Sequence, residues 1–181
     1  MDVVSEGSDE TARFRRDADW FISSIVESIC VTTIGGSAER LLELYFELAS
    51  HVSPRVDLAI VSFRNDTAWR GDTVAITDMV AAFERARWLL AANGGVEVTA
   101  FTENDQISLT AELGIVIYAR SERWTELLLT LGLAQRQVPP LAVWSPRRQT
   151  LRAVEELTET LATVVKRLNL RRVSLLEDAL P

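Results

Sequence analysis

Cysteine, histidine and lysine each occur once in this 181-residue chain, as Cys30, His51 and Lys166. A lone cysteine excludes an intramolecular disulfide. One histidine and one cysteine exclude zinc sites built from several of either. Lys166 falls at a polar position of the last helical pattern, which removes the usual Schiff-base and phosphate-binding lysines. No G-x-x-x-x-G-K-[ST] loop, G-x-G-x-x-G fingerprint or G-x-S-x-G elbow is present. Neither a metal site nor a cofactor is expected. The longest apolar stretch, FISSIVESICVTTIGG, is broken by Ser, Glu and Thr and is unsuited to spanning a bilayer. MDVVSEGSDE lacks the basic and apolar regions of a secretory signal, so a cytoplasmic location is expected.

Positive charge is also scarce. The 19 basic residues face 26 acidic ones, for a net charge of −7. Nucleic-acid binding requires clustered Lys and Arg to displace counterions from phosphates, and no such block exists. The acidic balance suits solubility and a basic protein partner. A composition 48% hydrophobic and 25% charged is that of a soluble globular chain, read most simply as one domain over 1–181.

The first nine residues read as frayed. From Glu10 to Cys30, apolar residues at Phe14, Phe21, Ile22, Ile25, Val26 and Ile29 fall at helical steps. This pattern also makes Cys30 a small buried hydrophobe. Ser37 caps a second helix, AERLLELYFELAS, with Leu41, Leu44, Tyr45 and Leu48 inward. Val56 to Arg64 reads as an interior strand, and Ile76 to Leu90 as a helix closed by Asn93-Gly94. Val96, Val98 and Ala100 mark a strand that turns at Asn104-Asp105. Unbroken alternation from Ile107 to Ala119 then predicts one long strand. A two-residue turn pairs Val98 with Ala111 and Glu97 with Glu112. A short helix follows Ser121, and QVPPLAVW offers an edge strand. Ser145-Pro146 starts a long last helix, 146–169, whose Val154, Leu157, Leu161, Val164 and Leu168 pack on the sheet rather than forming a dimer seam.

Strand, helix, strand, strand, helix, strand is the order of the split βαβ unit. The expected fold is therefore α+β over 56–144. It is a ferredoxin-like (βαββαβ) antiparallel sheet of about four strands, with two N-terminal helices and one long C-terminal helix. That resemblance is to a fold alone and carries no function.

Three features compete as functional sites. The stretch FRNDTAWRGDT, Phe63 to Thr73, links a strand to a helix. Arg64 and Arg70 suit an anionic group, Asp66 and Asp72 a cation, and Trp69 a contact. Against this stands a plain turn, with an Asx turn at Asn65-Asp66 and a positive φ at Gly71. The facing pair Glu97/Glu112 suits acid–base chemistry, or else an arginine-neutralised outer sheet face. His51 reads as a residue at a helix C-terminus. Finally, Val61, Phe63, Phe101, Val116 and Tyr118 fall on the polar-parity sheet face, which is too apolar for a solvated surface. Either the terminal helices or a partner cover it. These features favour a non-catalytic protein that binds another protein, including a second copy of itself as a homodimer. An enzyme or small-ligand binder using the Arg64–Asp72 loop or the glutamate pair is the alternative.

Overall fold

The computed structural model describes residues 19–138 and 152–174. Among these residues nine strands form one sheet: β1 (Trp20–Val26), β2 (Ile29–Gly35), β3 (Arg55–Ser62), β4 (Thr67–Ala75), β5 (Val96–Phe101), β6 (Asp105–Leu109), β7 (Ile115–Ala119), β8 (Ala134–Gln135) and β9 (Arg171–Val173). Among the described residues five helices accompany it: α1 (Ala38–Ala49), α2 (Ile76–Phe83), α3 (Arg87–Asn93), α4 (Arg123–Thr130) and α5 (Glu155–Arg167). The strand order is β8-β1-β2-β7-β6-β5-β3-β4-β9. Among the described strands only β1 and β8 run parallel, so the sheet is mixed.

This architecture overturns the expected ferredoxin-like sheet of about four strands with two N-terminal helices and one long C-terminal helix added. The largest difference lies at the N-terminal side. Where helical spacing runs from Glu10 to Cys30, the described part, from Trp20, is the β1–β2 hairpin. Ile22, Ile25, Val26, Ile29, Val31, Thr32 and Thr33 are β-branched, and their stiff χ1 favours the pleated strand. Glu27 and Ser28 close the hairpin with φ of 49° and 69°, the paired positive values of a type I′ turn. Asn and Gly normally announce that turn, and neither is present.

The second difference is β4. Thr67 to Ala75 is not loop but a strand paired with β3 across a turn in which Asp66 has φ 47°. The pairing shifts between Val56 and Leu58. The chain accommodates this at Thr73, whose φ is 57° and whose N–H donates to Asp57 Oδ1 at 2.9 Å.

The third is the alternation from Ile107 to Ala119, which is two strands. Thr110 to Gly114 forms a turn between β6 and β7, with Leu113 at φ 61°. Leu109 faces Ile115, so odd-numbered residues stay on the core side through the reversal. The β5–β6 register also moves by two positions, with Val98 facing Leu109 and Phe101 facing Gln106. An even shift keeps each side chain on its expected face.

Pro139 to Trp144 and the Ser145-Pro146 helix start lie outside the described residues, as do the first nine. The described last helix begins at Glu155, preceded by an extended Val154 (φ −115°, ψ 112°).

One contiguous core unites the helices with a single sheet face. Leu41, Leu44, Tyr45 and Leu48 of α1, Met79 and Phe83 of α2, and Leu90 of α3 meet Trp124 of α4 and Leu157, Leu161 and Val164 of α5. From the sheet they meet Leu58, Ile60, Val98, Ile107, Leu109, Ile115 and Ile117. Helix α5 thus joins the core on the helical side, where it packs against α2 and α3. The buried residues of opposite parity, Ala59, Val61, Ala68 and Phe101, lie outside this core.

Candidate functional site: the Arg64 turn and the second sheet face

The Phe63–Thr73 stretch divides into two chemically separate parts. Its turn is bonded into the helical layer. Arg64 Nε donates to Gly94 O at 3.0 Å, Nη1 donates to Arg152 O at 2.6 Å, and Nη2 donates to Asn93 O. Asn65 Nδ2 donates to Thr158 Oγ1 at 2.9 Å. The last carbonyls of α3 have no partner inside their own helix, and a guanidinium fork satisfies them while matching the negative end of the helix dipole. Burial lowers the Arg64 pKa from its usual value, yet the group keeps its charge at neutral pH. Each of its three nitrogens donates to a backbone carbonyl, so the side chain is engaged in holding the turn to the helical layer. Asp66 is exposed at the turn.

The other part lies on β4. Trp69 faces the helical side and packs against the core edge. Gly71 does not have a positive φ, in contrast to the turn expectation. Contact favours glycine here instead, because a Cβ would lie 2.3 Å from Leu170 Cδ2 and force that side chain to shift. Arg70 turns to the second face, 5.2 Å above the Phe101 ring, with Nε 3.7 Å from Asp72 Oδ1. Asp72 Oδ2 in turn lies 3.6 Å from Arg171 Nη2. Arg70, Asp72 and Phe101 are therefore brought together, while Arg64, Asp66 and Trp69 are not part of that group.

Glu97 and Glu112 do not face each other. Glu97 is beside Val61 in β5, with the Thr99 hydroxyl donating to it at 3.5 Å. Glu112 sits in the β6–β7 turn. The two-residue register shift separates them. His51 follows the end of α1, its N–H donating to Leu48 O at 2.9 Å, and Cys30 is buried in β2. Among the described residues, no group of three or more His, Cys, Asp or Glu is placed to hold a metal ion. Among the same residues, no helix is long and apolar enough to cross a membrane.

Tyr118 sits in a row that crosses the second face. The pairings align Ser24, Val31, Tyr118, Gln106, Phe101 and Asp57 side by side. The middle of this face is closed: Phe101 is buried, and the buried Thr99 and Ser108 hydroxyls bond each other at 2.9 Å. Toward β1 it opens. Val26 is 54% exposed, Ile29 42% and Tyr118 41%. Half-buried Val31 shares their parity beside Tyr118, and half-buried Ile22 and Val116 share it in the next row. This apolar surface was hidden in the sequence by the helical spacing of Ile22, Val26 and Ile29. The β-branched density of β1 and β2 was the signal that would have exposed it.

Comparison with protein families, curated proteins and solved structures finds no match to this chain.

Proposed function

We propose that this protein works by binding another protein, through the apolar end of its second sheet face. The observation that carries the reading is the exposure of Val26, Ile29 and Tyr118 together on one face of adjoining strands. Single exposed apolar residues are ordinary, whereas a contiguous group marks an interaction surface. A tyrosine flanked by β-branched residues supplies rigid contact area with a polar tip, a combination enriched at interfaces. The net charge of −7 adds long-range attraction for a basic partner and repels acidic ones. The role is non-catalytic, that of an adaptor, chaperone or inhibitor.

The test is affinity capture from native-host lysate with the wild type and with the double variant Val26→Asp, Tyr118→Asp. A stoichiometric protein partner held by the wild type, weakened by salt and lost in a variant that still folds, supports the reading. A partner retained by the variant, or a co-purifying metabolite with no protein, overturns it.

A further inference from the structure

The two ends of the sheet are defended differently. At one end, β9 is three residues long and carries Arg171 and Arg172, a short charged edge that discourages further pairing. At the other end, β8 covers only Trp20 and Phe21 of β1. Ala134 N–H donates to Asp19 O at 3.0 Å, and Arg136 N–H to Phe21 O at 2.8 Å. Odd-numbered residues of β1 therefore turn their backbone groups outward, while even-numbered ones bond β2. Beyond Phe21, the outward groups belong to Ser23 and Ile25, and no described strand meets them. The run Ile22-Ser23-Ser24-Ile25-Val26, which no described strand pairs on this side, contains no charge, proline or glycine. A groove lined by Ile22, Ser23, Ser24, Gln135, Arg136 and Gln137 runs along it where the chain leaves β8.

We propose that this edge pairs antiparallel with the same edge of a second copy, joining two sheets into one across a two-fold axis. The argument rests on charge and on symmetry. Two chains of charge −7 repel, so self-association requires a neutral contact, and Ile22–Val26 is such a strip. An isologous contact also requires a self-complementary surface. Antiparallel pairing brings each hairpin tip to the far end of the other copy's open edge. Glu27 stands at the tip and Arg136 at that end, and neither side chain has an ion-pair partner among the described residues. The dimer therefore forms two Glu27–Arg136 contacts. Ile25, 67% exposed in the single chain, becomes covered. The edge shares Ile22 and Val26 with the apolar face but pairs through the backbone of Ser23 and Ile25, so this inference does not rest on the partner proposed above.

The test is sedimentation equilibrium of the full chain from about 1 to 200 µM, with amide hydrogen exchange read at Ser23 and Ile25. The expected result is a reversible dimer in which both amides gain protection as concentration rises. Ile25→Lys, on an exposed side chain, raises the dimer Kd at least tenfold. Glu27→Arg raises it about three- to tenfold, since two rim ion pairs are lost. Adding Arg136→Glu restores the wild-type value, which a general loss of stability would not allow. A monomer throughout the range overturns the proposal. So does a dimer in which both amides exchange freely, and so does protection that arises only on adding a different protein.

Discussion

Replacing Arg64 isolates the claim that the β3–β4 turn ties the helical layer to the sheet. Arg64→Met keeps the length of the apolar stem and removes all three hydrogen bonds to Asn93, Gly94 and Arg152. The bonds to Gly94 and Asn93 are partly buried and the one to Arg152 is exposed. Hydrogen bonds from a charged donor contribute about 1 to 1.5 kcal/mol each at partly buried sites and roughly 0.5 at the rim, giving a loss of about 3 kcal/mol. Lysine retains the charge but not the planar fork, so Arg64→Lys should lose about half as much. With a urea m-value of about 2 kcal/mol/M, the midpoints fall by about 1.5 M for Met and 0.8 M for Lys. Urea unfolding followed by circular dichroism and by tryptophan fluorescence measures both. Midpoints within about 0.3 M of wild type for both variants would refute the tie. So would a lysine variant as weak as the methionine one, since the fork would then contribute nothing beyond its charge.

Three further perturbations probe the rest of the molecule. The Tyr45 hydroxyl is buried in α1 without a hydrogen-bond partner among the described residues, so Tyr45→Phe should stabilise by about 1 kcal/mol in thermal or urea unfolding. Burial, and then the charge of Glu97, raises the Tyr45 pKa, so the folded state holds its proton after the unfolded chain has lost it. Stability is therefore intact below about pH 10 and falls above it by up to about 1.4 kcal/mol per pH unit from this group, a slope that Tyr45→Phe removes. Gly71→Ala places a methyl 2.3 Å from Leu170 Cδ2 and 3.1 Å from Val74 Cγ2, and should cost about 1 to 3 kcal/mol while speeding exchange of the β9 amides. Asp105 accepts from Trp124 Nε1 at 2.9 Å and from Arg123 Nη2 at 2.7 Å, so Asp105→Ala should lower stability by about 2 kcal/mol and perturb the fluorescence of the buried Trp124.

How far the sequence reveals this molecule depends on which residues carried an unambiguous period. Helix α1 is legible from end to end, because Ser37 accepts from Arg40 N–H as a cap should and Leu41, Leu44, Tyr45 and Leu48 all enter the core. The run from Ile76 to Leu90 is legible too, although Glu84 to Ala86 divides it into α2 and α3. The β1–β2 hairpin is not. Its tip projects, so Ile25, Val26 and Ile29 are apolar on both faces, and the alternation that marks a half-buried strand disappears into steps of three and four. Strand β4 is obscured for the opposite reason. Thr67, Arg70, Asp72 and Thr73 are polar because the strand is capped at an edge and bonded through its own charges. The reversal between β6 and β7 escapes detection because an odd-length turn preserves parity. On the second face, parity correctly placed Val61, Phe101, Val116 and Tyr118 together. Of the neighbours that enlarge the surface, Val26 and Ile29 fall in the segment whose spacing reads as helix, and Val31 lies just past it.

The central claim is that the open end of this face meets another protein. Photo-crosslinking tests it most directly, with p-benzoylphenylalanine placed at Tyr118 in cells of the native host and, as control, at Glu43 on the exposed side of α1. The account predicts a discrete protein adduct from position 118, none of the same mass from position 43, and loss of the adduct when Val26→Asp is added. Identical adducts from both positions, or none from position 118 in a folded protein, would contradict it.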